Sequence, residues 1–510
     1  MMLSSILLAA LGYLNPIVPG FHPDPSVCRV DSDYYLVNSS FQFFPGVPIF
    51  HSRDLVNWQQ IGNVLDRRSQ IKLKGANSWG GIYAPVLRQH DGTFYMVTTN
   101  CSDRGNFFVT APSPRGPWSD PVWISQGGID PDLYWEDGHC YFTSNPNDGI
   151  HICEIDPVTG QQLSESRLLW RGMGGRYPEA GHLFKKDGWY YLMIAEGGTE
   201  MGHSITIARS RNLYGPYVGN PGNPILCHQR QAAQSNPIQG TGHGDLFQAH
   251  DGSWWMVFLA FRPQINGMHI LGRETFLAPV KWVNGWPVVN DGNPVTLEMP
   301  DAPFADNSLK ARSSMSNVRS SFRDDFRDRS LAPRWVYLQN PDSSRYELTG
   351  NALRLKGGAS LSQNSVSPTF VAHRQQDIEC EITTFLTLKG NEGEAGLSVY
   401  MESGAHYDLC LTPEDKDGAT VRVRAQLDGF SHDFPSVRIP SRKCLLRVVC
   451  KADRYIFQYA KPLTTDWRDL ASVSTRYLTT ETAGGFTGIV IGMYAVGNTT
   501  ADFDFYSYNK

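Results

Sequence analysis

The chain has no Cys-x-x-Cys pair among its nine cysteines, which removes the usual spacing for a zinc or iron–sulfur site. It has no basic run, and its formal net charge is −5. Neither nucleic acid nor an anionic membrane surface is therefore expected as a partner. No stretch of it is long and apolar enough to span a bilayer. Only 19% of residues are charged and 41% are hydrophobic, a balance that suits folded domains and excludes extended disorder. Helical periodicity is scarce. Glycine and proline are abundant instead, with 48 and 32 residues spread at turn-like intervals, which favours many short strands. Aromatics make up 12% of residues; most are expected in cores, and the rest are free to stack on ligands.

At 510 residues the chain is too long for one compact core, so several domains are expected. Residues 1–12, Met1 to Gly12, form a short apolar run ending in small residues. The run reads as a secretory signal peptide, although no Lys or Arg precedes it, and so predicts a secreted, extracellular protein. N-glycosylation sequons at Asn38, Asn100 and Asn498 support secretion only weakly. The odd number of cysteines leaves at least one thiol unpaired, and Cys140 and Cys153, in one expected hairpin, are the candidates to face each other.

The first three hundred residues carry an internal repeat. Five stretches share a polar start, a short apolar run, an Asp-led turn and an aromatic strand, beginning near His22, Tyr83, Ile129, Pro178 and Gly242. Each reads as a β-hairpin. The turns fall at Asp31, Asp91, Asp137, Asp187 and Asp251, a recurrence of roughly 45–65 residues that signals propeller blades. Residues 13–298 are therefore expected to form a five-bladed β-propeller. In a propeller the first strand of each blade lines the axis. The position seven or eight residues before each turn holds Asp24, Ala84, Asp130, Glu179 and His243. Gathering carboxylates around one axis is costly, because like charges repel and resist desolvation, and functional sites are where that cost is accepted.

Residues 299–321 are rich in Pro, Asp and Ser and read as a linker. Residues 322–510 alternate in short strands without helical periodicity, as a β-sandwich does. The expected fold is all-β, a propeller followed by a sandwich.

Several motifs resemble those of glycoside hydrolase family 43, the β-xylosidase and α-L-arabinofuranosidase group with a C-terminal concanavalin-A-like jelly roll. Phe21-His22-Pro23-Asp24-Pro25-Ser26 resembles the family's general-base motif. Gly128-Ile129-Asp130-Pro131 resembles that of the carboxylate that orients the acid and tunes its pKa. Pro178-Glu179-Ala180-Gly181-His182 resembles the general-acid motif, with Ala180 where several relatives have Gly. Leu271-Gly272-Arg273-Glu274-Thr275 matches a segment whose Arg contacts the sugar. Thr241-Gly242-His243 matches an axial His that in some relatives lies near calcium. Gly485-Phe486-Thr487-Gly488 resembles a sandwich segment that closes the pocket.

The resemblance implies an exo-acting, inverting hydrolase with Asp24 as base, Glu179 as acid and Asp130 beside them. It implies Arg273 and Phe486 as substrate contacts. Phe41, Tyr83, Phe43, Phe44 and Trp79 are candidate pocket walls by position, and all but Phe41 are more readily placed in the core. No cofactor is required; a structural calcium ion near His243 is the one metal it suggests. The implied substrate is an oligosaccharide or polysaccharide ending in β-D-xylose, or alternatively bearing α-L-arabinofuranose. A lectin-like propeller is the competing class, but it needs no acid–base trio.

Overall fold

The computed structural model describes residues 12–510 except 147, 231–235, 305–320, 463 and 465. Residues 1–11 of the apolar run expected as a signal peptide and most of the expected linker lie outside the described residues. Twenty strands form five antiparallel four-stranded sheets, each a simple meander. The blades begin at Ser26–Val30, Ile82–His90, Ile129–Glu136, Glu179–Lys186 and Gln239–Gln248.

The Asp-Gly turns do what their chemistry allows. Asp91 and Gly92, Asp137 and Gly138, and Asp187 and Gly188 all have positive φ, the backbone that a two-residue hairpin requires. The fifth blade differs: Gln248 faces Trp254, so Asp251 sits in a five-residue loop closed by Ala249 and Ser253. The ring is tied at its start. Tyr13–Leu14 pairs with Glu298–Met299, and the Tyr13 hydroxyl and Asn15 amide both donate to the Leu277 carbonyl of blade five.

The C-terminal domain is a sandwich of an eight-stranded and a nine-stranded sheet. One outer strand of the larger sheet comes from the propeller: Phe43–Phe44 pairs antiparallel with Val336–Leu338. The sandwich core contains Ile270 and Leu271 from blade five as well. Apolar burial thus runs across the boundary, which joins the domains through backbone and core together.

Two side-chain expectations change here. Cys140 faces Ile155 and Cys153 faces Phe142, so the two thiols are offset across the strands. All nine cysteines are free. Among the sequons, Asn38 is fully buried, donating to the His22 and Pro23 carbonyls and to Thr275 Oγ1. Asn100 is also fully buried, whereas Asn498 is exposed.

Candidate active site

The inner strands of blades two to five share an irregularity near their starts, and Asp24 lies just ahead of blade one's inner strand, whose pairing is regular. In blades two to five the pairing slips between Tyr83 and Val86, Ile129 and Asp132, Glu179 and His182, and twice between Gln239 and Asp245. Asp24, Asp130, Ala180 and His243 adopt left-handed backbone there, with φ of 53, 54, 55 and 44°. A bulge of this kind bends the strand and re-aims a side chain. Strained non-glycine residues of this sort cluster at functional sites.

The strand pairing also corrects the repeat register. Ala180, not Glu179, occupies the left-handed position in blade four; Glu179 comes one residue earlier, opposite Ala195. The Glu179 carboxyl nonetheless lines the same cavity as those of Asp24 and Asp130.

Asp24, Asp130, Glu179, His243, Arg273, Phe41, Tyr83 and Phe486 all line one cavity of about 60 Å³, together with Ile129 and Thr199. Asp24 is buried, and burial pushes its carboxyl up. Arg273, His243 and a hydrogen bond from Ser39 outweigh that and hold it below the usual range. The contacts are short: Arg273 Nη1 to Asp24 Oδ1 at 3.1 Å and Ser39 Oγ to Oδ2 at 2.5 Å. Asp24 is thus an ionised, buried carboxylate, held by one guanidinium nitrogen and the Ser39 hydroxyl.

Glu179 and Asp130 move the other way. Burial, then the Asp24 charge, raises Glu179 to about 7 against an opposing pull from Arg273. Asp130 is raised well above its ordinary value by burial and by the charges of Glu179 and Asp24. The two carboxyls titrate as a pair that keeps a proton near neutrality. Asp130 also accepts a hydrogen bond from the backbone N–H of Ala180, the amide that follows Glu179. That bond anchors the chain from which Glu179 projects.

Arg273 ties the site together. Nη1 also donates to Thr199 Oγ1 at 3.0 Å, and Nη2 donates to the Phe486 carbonyl of the sandwich at 3.2 Å. Its guanidinium lies over the rings of Phe41 and Phe486, 5.6 and 5.5 Å from their centroids. Phe41, Tyr83 and Phe486 form an aromatic wall with centroids 5.0–5.9 Å apart. Phe486 arrives there because Gly485, at φ +91, lies against Ser78; a Cβ would sit 2.4 Å from Ser78 Oγ. The Phe486 N–H then donates to the Ser78 carbonyl across the domain boundary.

Three expected walls lie elsewhere. Phe43 packs behind the site against Phe21, and Phe44 belongs to the core between blades one and two. Both are drawn off by the strand they share with the sandwich. Trp79 stands outside the small cavity, edge-on to Phe486 at 4.8 Å.

Sequence reasoning missed Ser39, Thr199 and His203. The first two are neutral residues just past strand ends, with no signal beyond their loop position. His203 packs face-on against Gly242, and burial, then His243, lowers its pKa to about 3. A deeper charged layer was also missed. Arg88 bridges Asp132 and Asp245 at 2.8 and 3.1 Å, and His182 Nδ1 lies 2.9 Å from Asp132 Oδ2.

Calcium takes six to eight oxygen ligands. Around His243 the chain offers Asp24 and Asp130 oxygens at 3.5 and 3.9 Å from Nδ1, and Asp24 is committed to Arg273. Among the described residues no group of three or more His, Cys, Asp or Glu side chains is placed to hold a metal. The protein's own donors do not make a calcium cage here.

The comparisons with known proteins meet this geometry. The model of Glycosyl hydrolases family 43 matches residues 13–287. This chain belongs to glycosyl hydrolase family 43. The model of the beta xylosidase C-terminal concanavalin A-like domain matches residues 323–509 of the family 43 enzyme. It is 40% identical to a non-reducing end alpha-L-arabinofuranosidase of Bacteroides ovatus, over 99% of this chain and 96% of that protein. It is 32% identical to a beta-xylosidase of Bacillus subtilis, over 97% and 99%. A solved xylan beta-1,4-xylosidase of Bacillus halodurans superposes with a TM-score of 0.88 at 32% identity, covering 98% of this chain and 100% of that one. The family 43 enzyme is a glycosidase acting on carbohydrate.

Proposed function

We propose that this enzyme releases terminal β-D-xylose from xylo-oligosaccharides and xylan by a single inverting displacement. The observation that carries the reading is the opposite perturbation of two buried carboxyls in one small cavity. Asp24 is held ionised, and Glu179 is held up at about 7. Such a split supports Asp24 as the base and Glu179 as the acid.

Asp24 takes a proton from water as the water oxygen bonds to the anomeric carbon. Glu179 gives its proton to the glycosidic oxygen as the bond from that carbon to the leaving chain breaks. The two carboxyls come from blades one and four, which are not neighbours, as the wider spacing of an inverting pair requires. Asp130 orients Glu179 through the Ala180 amide. Arg273 donates to sugar hydroxyls from a fork fixed by Asp24, Thr199 and Phe486. No step needs a cofactor. The aromatic wall that Phe486 completes makes a closed end, which fits a chain terminus better than a continuous chain.

α-L-Arabinofuranosidase activity is the second reading, and the 40% identical Bacteroides ovatus relative favours it. The discriminating experiment compares nitrophenol release from aryl β-D-xyloside and aryl α-L-arabinofuranoside. A higher kcat/KM on the xyloside is expected. Arabinofuranoside turnover alone would replace the first reading with the second, and tight glycan binding without turnover of either would point to a lectin.

A further inference from the structure

The ring that closes the catalytic cavity arrives from the sandwich, and the segment that carries it is tied to blade five at several points. Thr480–Ala483 is a single helical turn, followed by Gly484 and Gly485 at φ 80 and 91° and then by Phe486. A helix this short has no stability of its own, because nucleation costs more than one turn of hydrogen bonds returns. Its place is therefore set by what grips it from outside.

The grip comes from residues 269–273, the stretch that ends in Arg273. The Thr480 N–H donates to the His269 carbonyl at 3.2 Å, and the Ile489 N–H donates to the Ile270 carbonyl at 3.0 Å. Gly488 lies so close to the same stretch that a Cβ there would come within 2.4 Å of the Leu271 carbonyl oxygen. Between these backbone ties the Phe486 carbonyl meets Arg273.

One side chain joins the two stretches. Glu481, in the helical turn, accepts from both the backbone N–H and Nδ1 of His269, at 3.0 and 2.7 Å. His269 is a fixed post, buried and stacked on the buried Phe261 ring at 4.1 Å and 13°. Burial pushes the Glu481 carboxyl up, but the bonds and charge of His269 outweigh it and hold it below the usual range. Glu481 is thus ionised and can only accept, so Nδ1 of His269 carries the proton between them. The rigidity passes along the turn, where the Ala483 and Gly484 N–H groups donate to the Thr479 and Thr480 carbonyls. Neither Glu481 nor His269 lines the cavity that holds the carboxyls; both border the larger opening beside it.

We infer that Glu481 is a positioning residue: its two bonds to His269 hold the Phe486 ring over the catalytic cavity. The inference rests on the glycosidase reading above, and within it gives a sandwich carboxylate a task that it performs through Phe486. Without those bonds the turn is loose at one end and the ring is no longer ordered before the sugar arrives. Binding of the terminal sugar then weakens, because the ligand must order the wall itself.

The test is a double-mutant cycle with Phe486→Ala, read by kinetics on whichever of aryl β-D-xyloside and aryl α-L-arabinofuranoside the parent enzyme hydrolyses. Glu481→Ala alone is expected to raise KM about fivefold to tenfold, with kcat changed less than about twofold. Glu481→Gln keeps an acceptor oxygen for His269 and is expected to recover KM to within about threefold of the parent. In the Phe486→Ala background, Glu481→Ala is expected to lower kcat/KM less than about twofold further, because the ring it positions is gone. Losses that multiply in the double variant would mean that Glu481 acts independently of Phe486, and would overturn the inference. An unchanged KM in Glu481→Ala would overturn it too, whatever happens to kcat or to the melting temperature, and so would a Gln variant as poor as the Ala one. A parent that hydrolyses neither glycoside would instead overturn the glycosidase reading, and this inference with it.

Discussion

Asp24 keeps its charge inside a buried site because Arg273, His243 and Ser39 together outweigh burial. Glu179, with only the pull of Arg273 to oppose burial and Asp24, keeps its proton to about pH 7. The pH profile of kcat/KM should therefore fall on its alkaline side near about 7 as Glu179 loses its proton, and on its acid side below the usual carboxylate range as Asp24 gains one. Asp130 is itself pushed up, so near neutrality it acts more through its bond to the Ala180 amide than through charge. Asp130→Asn should lower kcat while moving the alkaline limb by less than about half a unit. A downward move of about one unit or more would mean that an ionised Asp130 raises Glu179 electrostatically. The three carboxyl positions were legible in sequence because acids stand out at the mouths of strands that otherwise read as buried. Ser39 and Thr199 were not legible, since a hydroxyl in a polar loop carries no such contrast. The register at Glu179 was misread because the acid was followed instead of the spacing: Ala180 lies seven residues before Asp187, as Asp130 does before Asp137, and both blades bulge at the same place.

At the scale of the element, hairpins were readable wherever Asp-Gly dictates positive φ. The blade-five loop was harder, because Asp251 heads a longer turn with the same letters. Phe43 and Phe44 show the limit more sharply: as candidate walls they could not be told from core in the sequence, and strand pairing with Val336–Leu338 takes them away from the pocket. Phe486 shows the opposite. Its glycine-flanked turn signalled a projecting ring, and the ring stands half-buried against Phe41, Tyr83 and Trp79. Phe486→Ala should lower kcat/KM by about tenfold with little change in melting temperature, since the ring covers the substrate site and leaves the sandwich core intact. A loss of about 3–5 kcal/mol of stability instead would mark it as a core residue.

The whole molecule is one catalytic unit built from two domains. The propeller supplies the carboxyls and Arg273; the sandwich supplies Phe486 and the backbone oxygen that Arg273 grips. Both architectures could be read from repeats and alternation. The Phe486 segment was expected to reach the pocket, but the shared strand was not, because a pairing of Phe43–Phe44 with Val336–Leu338 across roughly three hundred residues leaves no local trace. The central claim, a single displacement between Asp24 and Glu179 at a chain end, is tested most directly by proton NMR of the first sugar released from xylotriose, observed before mutarotation. The account predicts that the nascent xylose is the α anomer, inverted from the β linkage; nascent β-xylose would contradict it.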